Sequence, residues 1–404
     1  MTTQVTSATL RADEYMLDPF PVWRRMRDEQ PLFFDDVQQR WILTRYDDVM
    51  AVLGNPQVYS ARSYQERFRP VFGRTLAELD GSQHIRERTI VAPAFVGKSL
   101  EGYRPFIDGQ VAHLARHIEG LDRFDLVEKV TSELPLRVIS ALLGFPEQDT
   151  EFLFAVGNDV MAGLADVPEL RAAGASAHRR LADHLAPIIA ARRTQPSTDL
   201  ISKIVHAEAN GERLTDEEIC SFVSFLLAAG GPTTDMAVRN FWWALLSEPD
   251  ELNACRADPA RIQRAFSESL RRDGPIVYED RRTNTAVEWY GTVIPADTDI
   301  LVCLGAANTD DSVFADPEAF DPDRTDLLMG TERKPGHRVE NVAGHLAFGL
   351  GSHFCMGYQL ARVEVVNATE QLLVQLERIR LVEPQTPRIN WFERTVAALP
   401  VAVG

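Results

Sequence analysis

The stretch between Thr215 and Pro249 constrains the fold more than any other part of the chain. Thr215-Asp216-Glu217-Glu218 reads as a capping box, in which Thr215 caps a helix start and Glu218 reaches back to it. An apolar run follows: Ile219, Phe222, Val223, Phe225, Leu226, Leu227, Ala228 and Ala229. After an irregular patch it resumes with Met236, Val238, Phe241, Trp242, Leu245 and Leu246, and it stops before Pro249. About thirty residues at 1.5 Å each make a helix of roughly 45 Å, long enough to cross a domain. It is apolar on most faces, so it is expected to be buried.

The remaining pattern is α-rich with a minor sheet. Val22 to about Asp28 reads as a helix, Arg40 to Thr44 as a strand and Tyr46 to Leu53 as a short helix. Residues 60–80 lack clean periodicity, hold Pro70, Gly73 and several arginines, and are expected to form a long loop of the kind that often carries function. Residues 84–272 are mainly helical. Val287 to Pro295 reads as a hairpin and Asp299 to Leu304 as a strand. A non-periodic stretch covers 310–335, and a helix runs from Gly357 to about Glu377 before a small β-rich tail. The expectation is a single domain over 1–404, mainly α, with β-rich parts near 30–60, 276–304 and 380–404.

Composition narrows the function classes. Hydrophobic residues make up 45%, enough to bury a large core and to exclude a disordered chain. Lys plus Arg is 42 against 59 Asp plus Glu, and a chain at −17 is repelled by phosphate, which argues against nucleic acid as a partner. Cys220, Cys255, Cys303 and Cys355 stand far apart, without a C-x-x-C pair, so neither a disulfide scaffold nor zinc-site spacing is present. The first ten residues lack a signal-peptide pattern, and no run of about eighteen apolar residues occurs. A cytoplasmic protein with no membrane anchor is expected, a monomer by default.

The most informative chemistry lies in Phe348-Gly349-Leu350-Gly351-Ser352-His353-Phe354-Cys355-Met356-Gly357, just before the last long helix. Two glycines allow a tight turn and close approach of backbone to a flat ligand. Cys355 then sits near a helix N-terminus, where free N–H groups stabilise a thiolate. Such a thiolate can be an axial iron ligand. A lone buried cysteine is more often a small hydrophobe, but this spacing outweighs that reading.

Here the sequence resembles the cytochrome P-450 family of haem-thiolate monooxygenases. The family's loop reads F-x-x-G-x-x-x-C-x-G, and Phe348, Gly351, Cys355 and Gly357 fill it. The resemblance implies that Cys355 is the metal ligand of haem b (iron protoporphyrin IX), that Phe348 packs beside the sulfur, and that His353 contacts a haem propionate. Gly349 and Ala229 belong to the same expected cofactor-binding set. Glu268 and Arg271, an i,i+3 pair that would otherwise read as a solvated helix face, match the family's E-x-x-R. With Arg324 they are expected to form a structural network behind the loop. His84 and Arg88 match an H-x-x-x-R that binds propionate, and Arg281 matches a further propionate-binding arginine, with Arg282 as the neighbouring alternative. A carboxylate edge suits such cations.

The long helix carries Ala229-Gly230-Gly231-Pro232-Thr233-Thr234 against the family's A-G-x-[DE]-T-T. Thr233 and Thr234 are the expected catalytic alcohols. Pro232 stands where an acid is usual. It cannot donate to the carbonyl of Ala228, so a kink with an orphan carbonyl lining a cavity is expected. Asp235, three residues on, lies about 60° off that face and cannot replace the acid.

The resemblance also implies a distal pocket walled by the 60–80 segment, the central helix, residues 276–278 and the tail, with Phe68, Phe72, Phe225, Ile276, Val277 and Phe392 as candidates. Arg62, Arg67, Arg69 and Arg74 are dense for one loop, and a carboxylate anchor competes with plain surface solubility. The implied function is NAD(P)H-driven insertion of one oxygen atom from O2 into a medium-sized, largely apolar organic substrate, with electrons delivered by a ferredoxin or flavodoxin and its reductase. Oxidative coupling, cyclisation or peroxide-driven oxidation is the variant that the missing acid favours. A non-catalytic haem-binding or sensing protein is the reading from another class.

Overall fold

A computed structural model describes residues 4–165, 167–329 and 342–404. The expected central helix is there as Asp216–Ser247. Both halves of the capping box form: Thr215 Oγ1 accepts from Glu218 N at 3.1 Å, and Glu218 Oε2 accepts from Thr215 N at 2.9 Å. Most of its residues are buried, because helices Leu134–Leu143, Thr150–Ala162, Pro168–Thr194 and Pro259–Asp273 all pack against it. The glycines beside Pro232 serve this packing. A Cβ on Gly230 would stand 2.5 Å from Ile139 Cδ1, so the missing side chain lets a neighbouring helix approach closely.

The β portion centres on a five-stranded sheet. In spatial order its strands are Leu32–Asp35, Arg40–Leu43, Asp299–Cys303, Tyr278–Thr283 and Tyr59–Ser60. The pair Arg40–Leu43 with Asp299–Cys303 is parallel and the other pairs are antiparallel. The strand Asp299–Cys303 is buried on both faces. Ile300 and Val302 enter one apolar cluster, while Leu301 and Cys303 enter another, as the two-residue repeat of a strand requires. The expected hairpin pairs Val287–Trp289 with Thr292–Ile294 around Tyr290 and Gly291, both at positive φ. The tail strand Pro400–Ala402 pairs with Arg123–Asp125, a short strand that the sequence reading did not anticipate.

Residues 60–80 differ from the expected loop. They form a 3-10 turn (Ala61–Tyr64), a helix (Gln65–Phe72) and a second 3-10 turn (Leu76–Glu78). Phe68, Val71 and Phe72 fall on one buried helix face, with polar residues and Pro70 between them hiding the period. The non-periodic stretch is irregular up to Met329, and its last six residues, 330–335, lie outside the described ones. Among the described residues no helix is long and apolar enough to cross a membrane.

Candidate active site

The central helix, the helix Gly81–Val91, the strand Tyr278–Thr283 and the loop before the helix Tyr358–Gln375 all contribute to one cavity of about 700 Å³. Its wall brings together Thr233, Cys355, His84, Arg88, Arg281 and His353, which the sequence scatters over more than half the chain.

The cysteine loop is shaped by Gly349 and Gly351, at φ 69° and 74°. A Cβ at Gly349 would meet Glu279 Oε1 at 2.7 Å, and one at Gly351 would meet the carbonyl oxygen of Leu53 at 2.7 Å. Both positions therefore combine left-handed backbone with close approach, and only glycine satisfies both. The chain then makes one 3-10 turn, Gly351–His353, and Cys355 N donates to Phe348 O at 2.9 Å. Gly349 itself lies behind the cavity wall. The Phe348 ring packs edge-on against Phe354 and Tyr358, at 6.3 and 6.1 Å.

Burial pushes the Cys355 thiol up to about 11, against the backbone N–H groups of Gly357 and Tyr358 and the charge of Arg88, which pull it down. The expected thiolate therefore does not follow from the helix N-terminus alone, because desolvation outweighs those donors. A bound cation is needed to hold the sulfur ionised at neutral pH.

His84 and Arg88 share one face of their helix. His84 is buried, its Nε2 has no hydrogen-bond partner among the described residues, and its ring centre is 4.3 Å from that of His353. Burial, then His353 and Arg88, push His84 down to about 4. His353 Nε2 lies 3.2 Å from Asp80 Oδ1. Arg88 donates to Phe354 O at 2.5 Å. Strand alternation decides between the two neighbouring arginines. Arg281 is buried on the cavity side with Glu279 at 2.9 Å, whereas Arg282 pairs with Asp299 at 2.6 Å and Glu66 at 3.2 Å and is not on the wall.

Glu268 and Arg271 are fully buried, with paired contacts of 2.7 and 2.8 Å. Arg324 Nε stands 3.2 Å from Glu268 Oε2, and Arg271 also donates to the carbonyls of Asn308, Pro317 and Ala319. Burial, not i,i+3 spacing, distinguishes this pair from one on a solvated helix face.

On the central helix, Ala229, Gly230, Thr233 and Thr234 line the cavity. Thr233 Oγ1 donates to Ala229 O at 2.5 Å. The expected orphan at Ala228 is not on the wall, and the helix runs unbroken through Pro232. Asp235 is held by Arg239 at 2.7 Å and is also off the wall. Phe68, Phe225, Ile276 and Phe392 line the cavity as expected. Two candidates do not. Phe72 packs behind Phe68 and Phe225, at 5.8 and 5.7 Å, and Val277 is turned into the core beneath the sheet.

The sequence reading missed Glu364, a buried carboxyl on the cavity wall whose Oε1 has no partner among the described residues. Burial pushes it up to about 8. It shares a helix face with Gly357, Leu360 and Ala361, so its spacing from Cys355 was the available signal.

The family model for cytochrome P450 matches residues 166–393. Cytochrome P450 107B1 of Saccharopolyspora erythraea is 32% identical, covering 97% of this chain and 96% of that protein. The cytochrome P450 monooxygenase PikC of Streptomyces venezuelae is 32% identical, with 96% and 92% covered. Among solved structures, the cytochrome P450 PksS of the Bacillus subtilis bacillaene polyketide synthase superposes with a TM-score of 0.86 at 30% identity, covering 97% of this chain and 98% of that one.

Proposed function

The chain belongs to the cytochrome P450 family of monooxygenases, and from that premise we propose that it holds haem b in this cavity through Cys355 and oxidises a medium-sized, largely apolar organic molecule beside Thr233. The observation that carries the reading is the convergence of Cys355, Thr233 and four nitrogen-bearing side chains on one wall. The residues fit the group. The unpartnered Nε2 of buried His84 and the desolvated Arg88 suit an anionic edge, and a Cβ at Gly357 would meet nothing within 4 Å, which leaves room for a flat ligand. His84, Arg88, Arg281 and His353 would hold its carboxylates, and Cys355 its iron. When bound, the haem supplies dioxygen activation, with NAD(P)H electrons arriving through a ferredoxin or flavodoxin and its reductase.

The chain's own residues then do three things. The aromatic wall of Phe68, Phe225 and Phe392 excludes water and binds apolar surface. Thr233 keeps its proton on the Ala229 carbonyl, which leaves its oxygen free to accept a hydrogen bond. Pro232 brings no acid, so proton delivery depends on water or on other cavity groups. The test is product analysis with NAD(P)H, a ferredoxin and its reductase. A product carrying one atom of labelled O2 supports the reading. NAD(P)H-independent haem binding with no oxidised product from any ligand that shifts the Soret band would favour a sensing protein instead.

A further inference from the structure

This inference rests on the cavity reading above and names part of what fills it. Of the four arginines between residues 60 and 80, three are held by acids of the protein. Arg62 pairs with Asp297 at 2.9 Å, Arg69 with Glu78 at 2.7 Å, and Arg74 with Glu87 and Glu218 at 2.6 Å each. Arg67 is the one of the four on the cavity wall. Its guanidinium carbon lies 4.9 Å from the ring centre of Phe392, 5.4 Å from Phe68 and 5.5 Å from Tyr64. Its ion pair is a 3.7 Å contact with Asp280, beyond hydrogen-bond reach, and Arg40 already holds that carboxylate at 2.5 Å. Ring faces stabilise the charge but leave the N–H fork unused. That fork matches a carboxylate in two parallel hydrogen bonds.

We propose that Arg67 recognises a carboxylate carried by the substrate, with Tyr64, Phe68 and Phe392 clasping the apolar chain next to it. The helix sets the length. Phe68 packs 5.7 Å from Phe225, and Phe225 precedes Thr233 by eight residues, about 12 Å of helix. The substrate is therefore a medium-chain alkanoic or arylalkanoic acid, oxidised near the end remote from its carboxylate. The acids on the wall are Glu279, which is paired with Arg281, Glu364 and Glu393.

The test is calorimetric titration of the holoprotein with decanoate, methyl decanoate and decylamine, recording the Soret band on the same samples. Arg67→Gln and Arg67→Lys are compared with wild type, and an unchanged carbon monoxide spectrum certifies each variant as folded. Wild type is expected to bind decanoate about tenfold or more tightly than the ester. Arg67→Gln loses that preference and Arg67→Lys keeps part of it. Equal binding of acid and ester in wild type, binding of neither, or equal weakening of both by Arg67→Gln overturns the proposal. Arg67-dependent binding of decanoate without any Soret change supports the anchor and overturns the placing of the remote end of the chain beside the haem.

Discussion

Replacing Glu364 with glutamine changes stability in a way that depends on pH. The residue is 2% exposed, and burial alone lifts its carboxyl from an ordinary 4.5 to about 8. Between those values the folded protein keeps a proton that the unfolded chain has lost. Stability is therefore unaffected by this group below the unfolded value and falls as pH rises toward 8. At 1.36 kcal/mol per pH unit, the loss is under about 1 kcal/mol near pH 5 and about 4 kcal/mol near pH 7.5. Glutamine does not titrate. Urea unfolding of both holoproteins at the two pH values should show the variant gaining about 3 kcal/mol on wild type between them. A gap that stays constant would show an ionised, partnered carboxylate and refute the reasoning.

Three further outcomes are expected. Thr233→Ala should cut product formed per NAD(P)H consumed by about tenfold, and unchanged coupling would remove Thr233 from the mechanism. Glu268→Gln should cost about 3–5 kcal/mol in urea unfolding, because it leaves Arg271 and Arg324 buried without their shared carboxylate; a loss below about 1 kcal/mol would contradict that. Gly349→Ala should destabilise by about 1–2 kcal/mol and weaken haem retention, since it adds a Cβ at φ 69° against Glu279; haem retention equal to wild type would show that the loop adapts.

Local signals carried much of this into the sequence. The capping box at Thr215 and the glycines before Cys355 act within a few residues, so they were legible without a fold. Glu268 and Arg271 were legible only through resemblance, because an i,i+3 pair looks the same on a solvated face as in a core. The helix Gln65–Phe72 was missed because polar side chains and Pro70 interrupt its buried face. Val277 and Phe72 were misplaced by a side-chain direction that only the neighbouring elements determine. Glu364 was missed because a lone acid in a helix usually faces water, and only its helical spacing from the cysteine loop pointed to the cavity wall.

The most direct test is the absorption spectrum of the reduced holoprotein under carbon monoxide, for wild type and Cys355→Ser. The expected result is a thiolate-type Soret band in wild type that is lost in the variant. A wild-type haem spectrum without the thiolate signature, or the same band in both proteins, would contradict the assignment of Cys355 as the iron ligand.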